Sequence, residues 1–222
     1  MPLSRMSPMS TKRIVVLISG SGSNLQALIN ACASHEIQGS IVAVISNRPE
    51  VYGLTRARLA GIETQTLDHK NFADRLSFDQ ALMELIDTYQ PDLVVLAGFM
   101  RILTTEFVEH YSGRMLNIHP SLLPAYKGVH THQRALADQA KVHGASVHFV
   151  TAELDDGAVV LQAELPVLAA DTAETLAARV LVEEHKIYPK VVAWFCDERL
   201  SFNEGFAWLD GQRLLEPLKQ QV

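Results

Sequence analysis

The chain has 222 residues, a formal net charge of −6, 48% hydrophobic residues and 20% charged residues. That length suits one large α/β domain or two small ones, and the composition excludes a disordered chain. The acidic balance argues against bulk attraction to nucleic acid, and no apolar run approaches the roughly 18 residues of a membrane span.

Residues 1–12 are polar and lack the apolar stretch and cleavage site of a signal peptide, so they are expected to form a disordered N-terminal extension. Ile14–Ile18 is a β-branched run bounded by Ser19-Gly20-Ser21-Gly22 and reads as a buried strand. Asn24–Ala33 reads as a helix, Ile41–Ile45 as a second strand and Gly53–Ala60 as a short helix ending at Gly61. Thr64–Leu67 is a third short strand. A longer helix lies within Phe72–Tyr89, where Phe78, Leu82, Leu85 and Tyr89 recur at helical spacing, and Pro91 ends it. Asp92–Ala97 is a fourth strand, Thr105–Tyr111 a short helix and Arg114–Ile118 a fifth strand.

The back half differs. Gly144–Val150 and Gly157–Leu165 look like strands joined closely enough to pair antiparallel. Thr172 caps a helix running toward Tyr188, and Pro189 is expected to kink or restart it. Asp210-Gly211 signals a hairpin turn. Apolar strands alternating with helices predict an α/β fold: a Rossmann-like, mostly parallel twisted sheet with helices on both faces and antiparallel strands added in the C-terminal half. Right-handed crossovers then gather the strand C-termini along one ligand-binding edge. The expected layout is one domain over 13–215 and a tail over 216–222. Two cysteines, Cys32 and Cys196, suggest neither a disulfide framework nor a zinc site, and a reducing cytoplasm is the natural setting.

Five segments invite a chemical reading. Gly20-Ser21-Gly22-Ser23-Asn24 follows the first strand, where glycines admit close approach and helix-start N–H groups favour an anion. It is not a dinucleotide fingerprint, because Leu25 takes the third glycine position and no acidic residue follows the second strand. It is not a P-loop either. A single phosphate is the sharper reading; a tight turn with an Asn cap is the plainer one. In Asn117-Ile118-His119-Pro120, Asn117 and His119 point to the same side of a strand. An amide donor and an imidazole suit acyl transfer, although a polar strand end with a satisfied histidine fits as well. Glu153-Leu154-Asp155-Asp156-Gly157 offers a carboxylate for His119 but reads equally as an acidic turn. Met100-Arg101-Ile102-Leu103 presents an apolar surface with one cation, which suits a flat acidic ligand or ordinary packing. Glu184 sits inside the apolar seam of the last helix and must find a partner or line a site.

His130, His132, His143 and His148 raise the question of a metal. No compact ligand set has an established spacing, so none is expected. Ser121 lies in no nucleophile elbow.

Together these segments resemble the bacterial phosphoribosylglycinamide formyltransferases. The likeness rests on residues 18–25, 96–103, 117–124 and 153–157, in matching order and spacing, and extends over roughly residues 13–215. It implies a formyltransferase fold and a purine-pathway enzyme. It also implies 10-formyltetrahydrofolate as cosubstrate and no metal. Gly22, Ser23 and Asn24 would hold the phosphate of phosphoribosylglycinamide, and Glu184 its ribose or glycinamide part. Arg75, Met100, Arg101, Ile102, Leu103 and Asn117 would contact the folate. Asn117, His119 and Asp155, rather than Asp156, would form the catalytic trio. A cis bond before Pro124 is expected by the same likeness. Ala158 departs from the relatives, many of which carry proline there. The implied partners are small molecules, with no nucleic acid or membrane, and a homodimer is compatible with the likeness.

Three other readings are weighed. A formyltetrahydrofolate deformylase would carry an extra domain before the catalytic one. A methionyl-tRNA formyltransferase would need a further C-terminal domain. A non-catalytic folate- or nucleotide-binding module need not keep Asn117, His119 and Asp155 together.

Overall fold

The computed structural model describes residues 11–220 and 222. The disorder expected for residues 1–10 concerns residues outside that set, and Lys12 already belongs to a strand. In chain order the elements are β1 (Lys12–Ile18), α1 (Ser23–Ala33), β2 (Gly39–Ser46), α2 (Tyr52–Leu59), β3 (Thr64–Thr66), α3 (Arg75–Asp87), β4 (Leu93–Leu96), α4 (Thr105–His110) and β5 (Met115–His119). They continue with α5 (Thr131–Ala137), β6 (Val142–Phe149), β7 (Val159–Pro166), α6 (Ala173–Cys196) and four short strands, β8 (Leu200–Asn203), β9 (Phe206–Leu209), β10 (Gln212–Arg213) and β11 (Leu218–Gln220).

Eight strands form one sheet in the order β11-β7-β6-β5-β4-β1-β2-β3. β1 to β5 run parallel, and β6 alone is antiparallel to its neighbours. β11 returns parallel to β7, so the end of the chain, read as a tail from residue 216, adds an edge strand. β8, β9 and β10 form a separate antiparallel sheet, with Asp210 and Gly211 both at positive φ in the β9–β10 turn.

Alternation along the strands divides the core in two. Ile14, Val16, Ile18, Leu116, Ile118, Val147 and Phe149 pack with α1, α2 and α6. Val15, Leu17, Val94, Leu96 and Met115 pack with Phe78, Leu82 and Ile86 of α3, Phe107 of α4 and Tyr111 just after it. Asn117 and His119 alternate with Leu116 and Ile118, so they face the side of α3 and α4.

α6 does not stop at Pro189 but runs on to Cys196. Proline removes one N–H, and the helix continues past it among the fully buried Ile187, Tyr188, Val191 and Val192. α5 escaped the sequence pattern because only Thr131 and Ala135 of its seven residues are buried. No helix among the described residues is long and apolar enough to cross a membrane.

Tyr188 ties α6 to the sheet. Its hydroxyl lies 2.7 Å from the Leu96 carbonyl and 3.0 Å from the Leu116 carbonyl, at the ends of β4 and β5. Tyr188→Phe leaves these buried acceptors without that donor and should cost about 1–3 kcal/mol. Urea unfolding should show a lower midpoint at unchanged slope.

Candidate active site

β1 lies between β2 and β4, where the strand order reverses and a crevice opens at the strand ends. A cavity of about 170 Å³ sits there, lined by Gly20, Ser21, Gly22, Ser23, Asn24, Ala97 and Gly98. Gly22 has φ 73° and precedes α1. A Cβ on Gly22 would lie 2.6 Å from the Gly53 Cα, so the loop needs glycine for both backbone angle and space. Arg56 Nε donates to the Ser21 carbonyl at 2.8 Å and braces the loop from α2. No side chain caps α1, so its first N–H groups remain available to an anion.

Asn24 lies inside the helix rather than at its cap. Its side chain neighbours Glu184, which α6 places against the loop. Glu184 is 6% exposed, and burial lifts its carboxyl to about 7 although the Asn24 side chain favours the charged form. The apolar seam seen in the sequence therefore delivers Glu184 to the glycine loop.

The second group of side chains forms on β5 and β6. His148 stands opposite Asn117 in the antiparallel register, and the two meet through Asn117 Nδ2 and His148 Nε2 at 3.2 Å. His119 Nδ1 lies 3.5 Å from Asp155 Oδ2, and both side chains are under a tenth exposed. Its other nitrogen, Nε2, lies 2.8 Å from the Tyr126 carbonyl oxygen. Asp155 sits at φ 49° in the β6–β7 loop, which folds back over the sheet. Its Oδ2 also accepts from the Gly128 N–H at 2.8 Å. Asp156 points away and pairs with Lys127. The two loops thus meet over His119, and Leu123-Pro124 in the first of them is cis.

The segment after β4 is held by buried acceptors. Ser19 Oγ accepts from the Met100 N–H at 2.8 Å, and Asp79 Oδ2 from the Thr104 N–H at 2.7 Å. Met100 and Ile102 remain exposed, an apolar surface open to a ligand. Arg101 stacks on Phe78, with its guanidinium carbon 4.3 Å from the ring centre. Leu103 packs against the α3–α4 core. Arg75 is exposed in the first turn of α3, and no contact among the described residues joins it to the Asn117 group.

The histidines first weighed as chelators are arranged differently. His132 Nδ1 and His143 Nε2 lie 3.1 Å apart. Burial lowers His132 and pushes His143 down to about 4, so both favour the neutral form. His148, grouped with them in the sequence, belongs instead beside Asn117. Only the β5–β6 register reveals that.

Residues 12–192 match the family described as Formyl transferase. The chain is 58% identical over 201 residues to the phosphoribosylglycinamide formyltransferase of Escherichia coli, covering 90% of this chain and 95% of that protein. It is 46% identical over 203 residues to the same-named protein of Haemophilus influenzae, covering 91% and 96%. A solved phosphoribosylglycinamide formyltransferase from Coxiella burnetii superposes with a TM-score of 0.89 at 50% identity, covering 94% of this chain and all of that one.

Two expected outcomes follow from the geometry. A Cβ on Gly157 would collide with the Phe149 carbonyl oxygen and reach 3.3 Å from His148 Nδ1. Gly157→Ala should therefore cost about 1–3 kcal/mol of stability, read as a lower melting temperature, and should lower kcat with it. The second concerns Glu184. The folded protein holds its proton up to about 7, whereas the unfolded chain releases it near 4.5. Between those limits the folded state binds more protons, so the Glu184 contribution to stability falls as pH rises. Relative to the parent, Glu184→Gln should gain about 1–3 kcal/mol between about pH 4.5 and pH 8 in urea titrations.

Proposed function

The chain belongs to the formyl transferase family, and from that premise we propose the reaction and the roles of its residues. The enzyme transfers a formyl group to the amine of phosphoribosylglycinamide, in purine biosynthesis, with 10-formyltetrahydrofolate as donor. The observation that carries this reading is the convergence of half-buried Asn117 with buried His119 and Asp155 two strands from the glycine loop.

The substrate phosphate rests on the N–H groups of Gly22, Ser23 and Asn24 at the start of α1. Glu184, packed against Asn24, meets the ribose or glycinamide part. The folate lies along Met100, Ile102 and Leu103, with Arg101 and Arg75 as the cations nearest its acidic end and Asn117 at its formyl end.

The glycinamide amine attacks the formyl carbon. The carbonyl π bond opens, and its electron pair moves to oxygen. Asn117 Nδ2–H donates to that oxyanion, as does His119 through Nε2–H. In the present structure the Tyr126 carbonyl occupies the acceptor position at Nε2, so substrate takes the place of this oxygen. Asp155 Oδ2 orients the ring from the Nδ1 side and balances its charge when both nitrogens carry hydrogen. The tetrahedral intermediate collapses as the bond from carbon to folate N10 breaks. The amine loses one proton and N10 gains one, and His119 carries it between them. No metal enters the scheme.

Residues 13–215 act as one catalytic domain in this reading. Its partners are small molecules, the setting is cytoplasmic, and a homodimer agrees with the family likeness.

Loss of one oxyanion donor should lower kcat a hundred- to a thousandfold, about 3–4 kcal/mol. Asn117→Ala and His119→Ala are each expected to show this while retaining the parent circular dichroism. Tetrahydrofolate release, followed by absorbance, should depend on added phosphoribosylglycinamide. Near-parent turnover in both variants, or release without the amine, would contradict the reading.

A further inference from the structure

His148 stands opposite Asn117 across the antiparallel β5–β6 pair and is 2% exposed. Its Nδ1 lies 2.9 Å from the Phe149 carbonyl oxygen. A carbonyl only accepts, so Nδ1 bears the hydrogen. Burial holds the ring toward its neutral form and outweighs the opposing pull of the Phe149 carbonyl and Asp155. A neutral ring with its hydrogen on Nδ1 leaves a lone pair on Nε2.

Two groups face that lone pair, Asn117 Nδ2 at 3.2 Å and Asp155 Oδ1 at 3.9 Å. At 3.9 Å Asp155 Oδ1 is beyond hydrogen-bond distance, and the Oδ2 of the same carboxylate already accepts from Gly128 N–H and faces His119. A flipped Asn117 would present its amide oxygen to the lone pair, and the two would repel. Only the amide nitrogen pairs with Nε2.

We propose that His148 is a positioning residue whose Nε2 accepts one hydrogen of the Asn117 amide and so keeps the second hydrogen of that nitrogen for the formyl oxygen. The proposal rests on the reading of Asn117 as an oxyanion donor. Its physical content is preorganisation. An unrestrained amide exchanges its oxygen and nitrogen by a half-turn about one bond, and the oxygen-forward state meets a developing oxyanion with like charge. His148 excludes that state before substrate arrives. Gly157 supports the arrangement, because its missing side chain lets the backbone close over the Phe149 carbonyl that fixes the tautomer. Asp155 and His119 are the titratable groups that act on the ring.

The test uses His148→Leu and His148→Gln, each alone and combined with Asn117→Ala. Leucine fills the space without an acceptor, whereas the glutamine side chain offers a carbonyl oxygen. His148→Leu should lower kcat at least about tenfold with both KM values within about twofold, because the missing interaction acts in the transition state. His148→Gln should recover most of that loss. In the Asn117→Ala background, His148→Leu should change kcat by no more than about twofold, since the group it orients is gone. Independently, ¹⁵N NMR of the parent protein at neutral pH should show His148 neutral with its hydrogen on Nδ1.

A hydrogen on Nε2, or full multiplication of the two losses, would overturn the proposal. Should His148→Leu not fold, the tautomer in the parent decides alone. A severe Asn117→Ala loss beside a near-parent His148→Leu sinks only the role of His148. An inert Asn117→Ala sinks the reading of Asn117 itself.

Discussion

A stretch of sheet face that no helix among the described residues covers governs the rest of the molecule. Where β5, β6 and β7 lie side by side, one face is sealed by α6 and the other carries Asn117, His119, Ser146, His148 and Gln162. Buried polar groups must find partners, and the middle of a helix has no spare backbone groups to offer. The loops after β5 and β6 do. They supply the Tyr126 carbonyl, the Phe149 carbonyl and the Gly128 N–H. Ser146 and Gln162 bind the first loop through Leu123 and Ser121. Closing that face and building the site are therefore one act of folding.

The same burial sorts the charges. Desolvation holds His132, His143 and His148 toward their neutral forms. Glu184 is held in its protonated form to higher pH at the glycine loop by the same burial. His119 differs in facing a carboxylate oxygen on one side and a carbonyl on the other. Its two ring nitrogens therefore each face an oxygen acceptor, whereas His132 and His143 face one another.

Much of this was legible from residue patterns. β-branched runs bounded by glycine gave β1, β2 and β4, and alternation placed Asn117 and His119 on one side of β5. The glycine loop was readable because close backbone approach demands glycine at Gly22. The helix does not restart at Pro189 but continues unbroken through a fully buried seam. α5 and β11 left no signal, one having a single buried apolar residue and the other only three residues. His148 looked like a spare chelator because its partner lies 31 positions away in the chain.

The sequence by itself determined the parallel core, the glycine loop at its first turn, and the likeness to a formyl-transferring family. Those depend on local periodicity, turn chemistry and motif spacing, all of which are written along the chain. The likeness had already pointed to Asp155 and Glu184, whereas tertiary structure decided that His148 faces Asn117 rather than joining a chelating set, and how the Asn117 amide is oriented. Each of those depends on strand register, or on a loop folding back over a face, and distance along the chain does not encode distance in space.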